Sequence, residues 1–353
     1  MSDIARRFPT NPLLSPQDVR PSCEGLAVHC LLNPGVFRFR GKTWLLLRVA
    51  EAPPATDEHV STVIRTPEGG LEVLKYRRDD PDLDLSDPRV FRYRGEVLLT
   101  TLSHLRLASS SDGVHFEPAT SPTLEGFGLY ETWGIEDCRV TEIEGRFYLT
   151  YTAVSPRGIA VGMTSTEDWQ EFTRHGNIFP PCNKDCALFP ERVSGAYWAL
   201  HRPASTGIGS HDIWIARSPD LIHWGRHECL LRVRPGRWDS ARIGAGASPI
   251  RTTAGWLEIY HGADENYRYC LGAVLLDAND PTRVLARSEE PIMEPIAPYE
   301  QKGFFGNVVF TNGHVVDGDT VTLYYGASDC VICGATLSIR EILGTLGVEG
   351  EAI

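Results

Sequence analysis

The 353-residue chain has no long apolar run and no excess of basic residues. A membrane-spanning helix needs about 20 consecutive apolar residues, and no segment approaches that length. The N-terminal stretch MSDIARRFPTNPLLSP has no apolar core of a secretion signal. Lys and Arg total 34 against 46 Asp and Glu, so the formal net charge is −12. Nucleic acids and anionic membranes bind basic surfaces, so we expect neither as a partner, and we expect a soluble cytoplasmic protein.

Helical periodicity and familiar catalytic motifs are equally scarce. Only residues 338–347, SIREILGTLG, repeat apolar residues at helical spacing, which predicts a short C-terminal helix. A βαβ fold needs long amphipathic helices between its strands, so that class is excluded. The chain contains no G-x-G-x-x-G, G-x-x-x-x-G-K-[ST], H-E-x-x-H or G-x-S-x-G. Nothing therefore indicates a nucleotide-binding loop, a zinc-protease helix or an α/β-hydrolase nucleophile.

The nine cysteines do not indicate a metal or redox site. Their number is odd, and a chain without a secretion signal is expected in a reducing compartment. Cys330 and Cys333 form a C-x-x-C, but they lie in an apolar, strand-like run. The eleven histidines are scattered and do not show metal-ligand spacing. We therefore expect buried structural thiols, no metal and no cofactor.

One pattern recurs along the chain: an alternating apolar strand, a tight turn with glycine, and a second strand rich in aromatic residues. It occurs at residues 34–48, 88–100, 138–151, 190–200, 249–260 and 308–325. A polar turn that ends in an aromatic residue follows several copies, as in SSDGVHF (110–116), STEDW (165–169) and SPDLIHW (218–224). A hairpin, a third strand, a polar turn and an outer strand make a four-stranded blade. Copies spaced roughly 50–60 residues apart predict an all-β β-propeller.

The blade number is not settled by periodicity. Residues 50–87 contain Pro53-Pro54 and an acidic run at 79–82, which indicates an insertion rather than a linker. We therefore expect one domain over residues 1–353. If the insertion interrupts the first blade, the six hairpins make five blades, and residues 104–116 could complete either the first or the second hairpin.

An acidic pair is the first candidate for chemistry. A propeller gathers the ends of its inner strands around a central pocket, so polar residues at strand ends converge in space. Glu136 and Asp137, with Arg139 after them, lie at the start of the third hairpin and can place one carboxylate there. Glycosidic bond cleavage needs a carboxylic acid that protonates the leaving oxygen. The alternative for this pair is a turn with a surface ion pair.

A second group of candidates is cationic. Lys184 precedes the fourth hairpin, and His201 and Arg202 follow it, so the three can bind phosphate at one mouth of the blade. The structural alternative is a salt bridge from Arg202 to Asp185 or Glu191.

Polar and aromatic residues also end other hairpins in the way that a sugar-binding pocket requires. Such groups suit a sugar because it offers hydroxyls at its edge and C–H groups on its face. The candidates are Asn33, Arg48, Tyr260, His261 and Asp329.

The sequence resembles glycoside hydrolase family 130, the β-mannoside phosphorylases and β-mannosidases, over nearly its whole length. The motifs that carry the resemblance are GIEDCRV (134–140), NKDCALFPERV (183–193), LHRP (200–203), GWLEIYHG (255–262), YCLGAVLLD (269–277) and GFFGNVVF (303–310). The segments most similar to the bacterial β-1,2-mannobiose phosphorylases are LLLRVAE (45–51), YTAVS (151–155) and SPDL (218–221).

The resemblance implies a five-bladed β-propeller enzyme that takes a small mannoside and inorganic phosphate as substrates. Asp137 would be the sole protein proton donor and would act through the 3-hydroxyl of the sugar. Phosphate would attack the anomeric carbon from the opposite face, with inversion, to give α-mannose 1-phosphate. Phosphate already carries negative charge, so it needs cations to hold it rather than a general base. The proline that usually follows the acid pair is Cys138 here, which should alter backbone rigidity more than chemistry.

The resemblance also implies which residues bind each substrate. Phosphorolytic members carry basic residues around the phosphate, whereas hydrolytic members place acids there. The implied phosphate contacts are Lys184, His201, Arg202 and Tyr269. The sugar contacts, with the candidates above included, are Asn33, Arg48, Arg106, Glu136, Tyr260, His261 and Asp329.

Two other functions stay open. An inverting β-mannosidase on the same scaffold needs a second carboxylate that activates water, for which Glu191 and Asp185 are candidates. A non-catalytic glycan-binding propeller would keep its blades and tolerate the loss of Asp137. The linkage depends on acceptor-side loops such as 50–87 and 204–211. Oligomeric state is also open, and members of the family are often dimers or larger.

Overall fold

The computed structural model describes residues 3–204 and 207–351, and nearly all of the regular secondary structure in these residues is β-strand. The strands of the first half are β1 (Arg6–Arg7), β2 (Ala27–Phe39), β3 (Lys42–Ala52), β4 (His59–Arg65), β5 (Leu71–Arg77), β6 (Leu83–Asp87), β7 (Val90–Tyr93), β8 (Glu96–Leu99), β9 (Leu102–Ser110), β10 (Glu117–Pro118), β11 (Ile135–Ile143), β12 (Arg146–Ser155), β13 (Gly158–Thr166) and β14 (Thr173–Phe179).

The second half adds twelve strands and two short helices within the described ranges. The strands are β15 (Asn183–Leu188), β16 (Tyr197–Pro203), β17 (Ile213–Ser218), β18 (Gly225–Leu231), β19 (Arg242–Gly244), β20 (Ile250–Thr252), β21 (Gly255–Ala263), β22 (Tyr269–Leu276), β23 (Val284–Arg287), β24 (Val309–Asp317), β25 (Thr320–Ala327) and β26 (Val331–Ser338). The helices are α1 (Pro298–Gln301) and α2 (Ile339–Thr345), and a 3₁₀ turn spans Pro16–Asp18. No helix in the described chain is long and apolar enough to cross a membrane.

Five antiparallel sheets follow one another along the chain. Sheet I is β2-β3-β9-β10, sheet II is β11 to β14, and sheet III is β15 to β18. In sheet IV both β19 and β20 pair with β21, and β22 and β23 follow. Sheet V is β24-β25-β26, and its outer strand is β1 from the other end of the chain. The all-β class predicted from the hairpin repeat is therefore confirmed.

An insertion interrupts sheet I between β3 and β9. It carries a two-stranded sheet, β4-β5, and a three-stranded sheet, β6-β7-β8. The predicted second hairpin, residues 88–100, belongs to this insertion, which therefore extends beyond the predicted boundary at residue 87. Residues 104–116 contribute β9 to sheet I, next to β3.

The hairpin turns explain why the repeat was visible in the sequence. Arg40-Gly41, Arg94-Gly95 and Glu144-Gly145 each have two consecutive positive φ angles, which matches the right-handed twist of the flanking strands. The fourth and fifth hairpins begin earlier than predicted, at Asn183 and Arg242, because their first strands are short or broken. The predicted C-terminal helix is present as α2, where the Ser338 side chain accepts a hydrogen bond from the Glu341 N–H.

The polar turns join the third strand of three sheets to the outer strand. The carboxylates of Asp112, Asp168 and Asp220 each accept two backbone N–H groups of the residues that follow. The aromatic residue that ends each motif then packs inward, as Trp169 does against Phe37 of sheet I with ring centroids 3.8 Å apart.

Each sheet shares a hydrophobic cluster with the next. One cluster joins sheets I and II, and further clusters join II to III, III to IV and IV to V. A fifth cluster packs Tyr324 and Ile332 of sheet V against Leu31 and Leu45 of sheet I. The apolar core is thus divided among the five sheet-to-sheet contacts.

The first strand of sheets I, II and III has an irregularity at the same place. Its pairing slips at Leu32/Gly35, at Glu136/Arg139 and at Lys184/Ala187. The residues at these bulges are Asn33, Asp137 and Asp185, with φ angles of 29°, 49° and 54°. Asn and Asp tolerate this left-handed conformation better than most residues, and a bulge re-aims a side chain. The bulges therefore turn three polar side chains toward the space between the sheets.

Candidate active site

The strand ends of all five sheets surround one cavity of about 330 Å³. The titratable and amide residues that the five sheets contribute to its lining include Asn33, Arg48, Glu136, Asp137, Lys184, Arg202, Arg242, His261, Tyr269 and Asp329. The insertion contributes Asp87 and Arg89, and the loop before β24 contributes Phe304 and Phe305. The Arg89 guanidinium lies over the Phe305 ring at 4.5 Å, so the insertion and this loop meet at the cavity.

Asp137 lies at the centre of a hydrogen-bond network in the cavity. Its Oδ1 accepts from Asn33 Nδ2 at 3.0 Å and from Arg48 at 3.1 Å. Arg48 also donates to Glu136 Oε1 at 2.7 Å. The acidic pair thus shares a largely buried ion pair with Arg48 inside the cavity rather than the surface ion pair that was the alternative.

The two neighbouring carboxyls have pKa values shifted in opposite directions. Burial alone would raise the pKa of Asp137, but Arg48, Lys184, Arg139 and the amide of Asn33 hold it below its usual range. Burial raises the pKa of Glu136, and Asp137 adds to that rise against the opposing charge of Arg48. With only the protein's own charges around the pair, Asp137 is the more acidic member.

Three cations lie on the far side of Asp137 and form what we call the cation cluster: Lys184, Arg202 and Arg242. Lys184 Nζ is 3.9 Å from Asp137 Oδ2. Arg202 pairs with Asp185 at 3.0 Å, so the structural salt bridge considered for it exists, yet Arg202 still lines the cavity. Arg242 has no carboxylate partner among the described residues, and its NH1 is 3.4 Å from the Tyr269 hydroxyl. The cluster therefore holds positive charge that the protein itself does not fully neutralise.

Asp329 and His261 complete the polar lining. Burial raises the pKa of Asp329 to about 6, and Arg48 opposes this rise. Burial lowers the pKa of His261 to about 4, although its Nε2 is 3.4 Å from Asp185 Oδ2. His261 is therefore a neutral ring at pH 7 that can donate or accept a hydrogen bond.

Three predicted site residues do not line the cavity: His201, Arg106 and Tyr260. His201 stacks on Phe179 at 4.5 Å, and burial lowers its pKa to about 3, so it carries no charge for an anion. Arg106 donates to the backbone carbonyl of Arg20, and the Tyr260 hydroxyl donates to Asp239.

These three corrections have one physical cause. Successive side chains of a strand point to opposite faces. On β16 and β21 the cavity face belongs to Arg202 and His261, which leaves His201 and Tyr260 on the other face. Arg106 lies opposite Leu47 across β3 and β9, whereas Arg48 of the cavity lies opposite Leu105. A strand end that is predicted from sequence gives the position of a residue along the strand, but not the face of the sheet on which its side chain lies.

The residues proposed for water activation lie elsewhere. Glu191 is exposed in the connection between β15 and β16. Asp185 is buried beneath the cavity, where burial would raise its pKa but Arg202, Lys184 and Arg139 hold it well below its usual range. Neither carboxylate faces the cavity, so the structure does not support either as a general base.

Sequence reasoning missed Arg242, Arg89 and the aromatic residues at 304, 305 and 310. Arg242 was missed because the first strand of sheet IV is split into β19 and β20, and only β20 resembles the hairpin repeat. Alignment of RIG (242–244) with NKD (183–185) as the first strand of a blade could have found it.

Comparison with known proteins gives one consistent result. Residues 81–347 match the family model of glycoside hydrolase family 130, described as β-1,4-mannooligosaccharide phosphorylase. The β-1,2-mannobiose phosphorylase of Listeria innocua is 46% identical over 351 residues, 98% of this chain and 99% of that protein. The 1,2-β-oligomannan phosphorylase of Thermoanaerobacter is 41% identical over 244 residues, 68% of this chain and 80% of that protein.

A solved structure agrees with these matches. The structure of the Listeria innocua β-1,2-mannobiose phosphorylase in complex with β-1,2-mannobiose has a TM-score of 0.95 to this chain. The two are 46% identical, and the match covers 98% of this chain and 99% of that chain.

Proposed function

The chain belongs to glycoside hydrolase family 130, and from this premise we propose that it catalyses the inverting phosphorolysis of β-1,2-mannobiose and short β-1,2-mannooligosaccharides. It is an enzyme that transfers a hexosyl group to inorganic phosphate, with α-mannose 1-phosphate and a shortened mannoside as products. The observation that carries the proposal is the position of Asp137 between the Asn33–Arg48 pair and the cation cluster in one cavity.

The cavity holds residues that suit both the protonation of the leaving oxygen and the binding of phosphate. The carboxyl of Asp137 is the proton donor to the leaving oxygen, and it acts through the 3-hydroxyl of the mannosyl unit. Phosphate binds to the cation cluster and Tyr269, where charge-assisted hydrogen bonds from guanidinium groups are strong and directional. Asn33, Arg48, Glu136, His261 and Asp329 are left to bind the sugar hydroxyls. The phosphate is a charged nucleophile, so neither a general base nor a metal is needed.

Phosphate also resolves a conflict in the charge of Asp137. A proton donor must be protonated, yet the surrounding cations lower the pKa of this carboxyl. A bound phosphate would offset the charge of Lys184 and its neighbours and so raise the pKa of Asp137. Binding of the second substrate thereby prepares the acid for its role.

We also propose that the five sheets are the blades of a single five-bladed β-propeller that comprises the whole chain. The chain order of the sheets and the hydrophobic cluster between sheets V and I support this arrangement. The insertion between β3 and β9 accounts for the sixth hairpin. A propeller explains why residues from all five sheets reach one cavity.

The decisive test is the phosphate dependence of turnover. The protein is incubated with β-1,2-mannobiose with and without inorganic phosphate, and products are followed by nuclear magnetic resonance. We expect equimolar mannose and α-mannose 1-phosphate with phosphate, no mannose without it, and no effect of a chelator. Mannose released at the same rate without phosphate would show a β-mannosidase, and absence of turnover on any β-mannoside would overturn the enzymatic proposal.

The raised pKa of Asp329 predicts that kcat/KM falls on the acidic side of the pH profile. Its carboxyl ionises near pH 6 in the free protein, and the ionised form accepts hydrogen bonds from sugar hydroxyls better. We therefore expect kcat/KM for β-1,2-mannobiose to fall as pH drops through about 6, since this parameter reports free-enzyme groups. Phosphate titrates in a similar range, so the comparison is with Asp329→Asn, whose profile should lack this limb. An identical limb in both proteins would contradict the assignment.

A further inference from the structure

Arg139 is a buried arginine that does not line the cavity, yet it contacts three of the sheets that carry the proton donor and the cation cluster. Its NH1 donates to the carbonyl oxygen of Asp137 at 3.0 Å. Its NH2 donates to Asp185 Oδ1 at 3.3 Å and to the carbonyl of Ala245 at 2.8 Å, and its Nε donates to the carbonyl of Gly246 at 2.9 Å. One guanidinium thus links sheets II, III and IV.

The link to sheet IV fills a gap in its first strand. Between β19 and β20 the backbone leaves the ladder, so its carbonyls and N–H groups need other partners. Arg139 donates to two of these carbonyls, and buried Glu258 accepts the N–H of Gly246 at 2.8 Å. A Cβ at Gly246 would lie 2.2 Å from the carbonyl of Ile259, so this segment fits tightly. The position of Arg242, at the start of β19, depends on this packing.

The link to sheet III runs through Asp185. This carboxylate contacts Arg139 on one side and Arg202 of the cation cluster on the other, at 3.3 and 3.0 Å. It also follows Lys184 directly in the chain. Two buried guanidiniums without a carboxylate between them would repel each other at low dielectric. Asp185 therefore sets the distance between Arg202 of sheet III and Arg139 of sheet II, the sheet that carries Asp137.

In sheet II, Arg139 constrains the bulge at Asp137. Asp137 has a φ of 49°, a left-handed conformation that aspartate tolerates better than most residues but that still depends on the surroundings to hold it. The hydrogen bond from Arg139 to the Asp137 carbonyl is one such constraint. If it were lost, the bulge could relax and move the carboxyl away from the cation cluster.

We infer that Arg139 and Asp185 are a pair of positioning residues that hold the proton donor at a fixed distance from the phosphate-binding cations. The inference rests on the proposed function, because it assigns the pair no contact with substrate. Its consequence is specific: the pair controls the rate of the chemical step and the affinity for phosphate together. Misplacement of reacting groups by about 1 Å can cost on the order of 10²-fold in rate.

The test is Arg139→Lys, which keeps the charge but replaces three donor nitrogens in a planar fork with a single nitrogen that cannot reach all four acceptors. We expect kcat to fall on the order of 10²-fold and KM for phosphate to rise, with circular dichroism that still shows a folded protein. The matched control is Arg287→Lys. Arg287 is an arginine of sheet IV whose side chain is 13% exposed, against 1% for Arg139, and it donates to Asp239 at 2.6 Å, to a backbone carbonyl at 2.7 Å and to Tyr260, outside the cavity. It should lose similar thermal stability but keep kcat within about twofold.

The outcomes separate the inference from the proposed function. If the unaltered protein makes no mannose 1-phosphate, the proposed function fails and the inference falls with it. If the unaltered protein is active and Arg139→Lys loses no more kcat than Arg287→Lys, only the inference is overturned. Should Arg139→Lys not fold, the isosteric Asp185→Asn decides: a fall in kcat with a rise in phosphate KM supports the pair, and unchanged kinetics overturn it.

Discussion

Asp137→Asn should reduce kcat for the phosphorolysis of β-1,2-mannobiose by about 10³-fold, within the range that a general acid contributes. The amide cannot deliver the proton, but it has the same shape and tolerates the left-handed backbone at this bulge. Asn33 and Arg48 keep an oxygen acceptor at the same position. The loss should therefore reflect chemistry rather than unfolding, which a thermal melt would verify.

The leaving group provides the control for this variant. The leaving group of a 4-nitrophenyl β-mannoside is 4-nitrophenolate, which is stable enough to depart without protonation. Asp137→Asn should therefore lose much less activity on this substrate than on mannobiose. Asp329→Asn is the matched comparison, because it alters another carboxyl that lines the cavity and should affect both substrates alike. An Asp137→Asn protein that retains a tenth of its kcat on mannobiose would rule out Asp137 as the proton donor.

Arg242→Met should lower kcat/KM for phosphate on the order of 10²-fold, the size of effect seen when one preorganised donor to an anion is removed. That factor corresponds to about 2.7 kcal/mol of lost stabilisation. Arg242 is chosen because it is the member of the cation cluster without a carboxylate partner in the described chain, so its removal leaves no buried carboxylate unpaired. Methionine preserves the apolar stem, and the KM for mannobiose should change little.

The control for Arg242→Met is Arg232→Met. The Arg232 side chain is 79% exposed, and it should leave phosphate kinetics within twofold. Arg242→Lys should recover part of the activity, since it restores the charge but not the planar fork. If Arg242→Met keeps its normal phosphate KM and kcat, the cation cluster is not the phosphate site.

The parts of the fold that sequence could predict are those with local causes. A turn of two positive φ angles needs glycine, as at Arg40-Gly41, and strand alternation shows directly as a period of two. The aspartates of the polar turns are equally local, since their carboxylates bond the next few backbone N–H groups. For that reason the hairpins, the polar turns and helix α2 were visible without coordinates.

A site residue could be predicted where a family motif marked the strand end that carries it. It could not be predicted where its place depends on which face of the sheet its side chain occupies, or on contact with a distant segment of the chain. Asp137 and Lys184 stood at bulges that the family motifs mark. His201 and Tyr260 were one residue from the side chains that face the cavity, and alternation alone does not say which face is inward. Arg242 lies at the start of a broken strand, and the carbonyls of Ala245 and Gly246 after that strand accept from Arg139, 106 and 107 residues earlier. No local sequence pattern reveals this contact.

Strand β1 has a consequence for how this protein is made. It completes sheet V by pairing Arg6 with Thr336 and Arg7 with Ala335 of β26. The Asn11 side chain just after it donates to the Gly334 carbonyl, 323 residues away. During synthesis the ribosome releases β1 long before its partner exists, so sheet V can be completed only once β26 has been translated. Until then β26 lacks its outer neighbour and β1 lacks a sheet. A nascent chain of this protein can therefore assemble sheets I to IV before β1 joins β26.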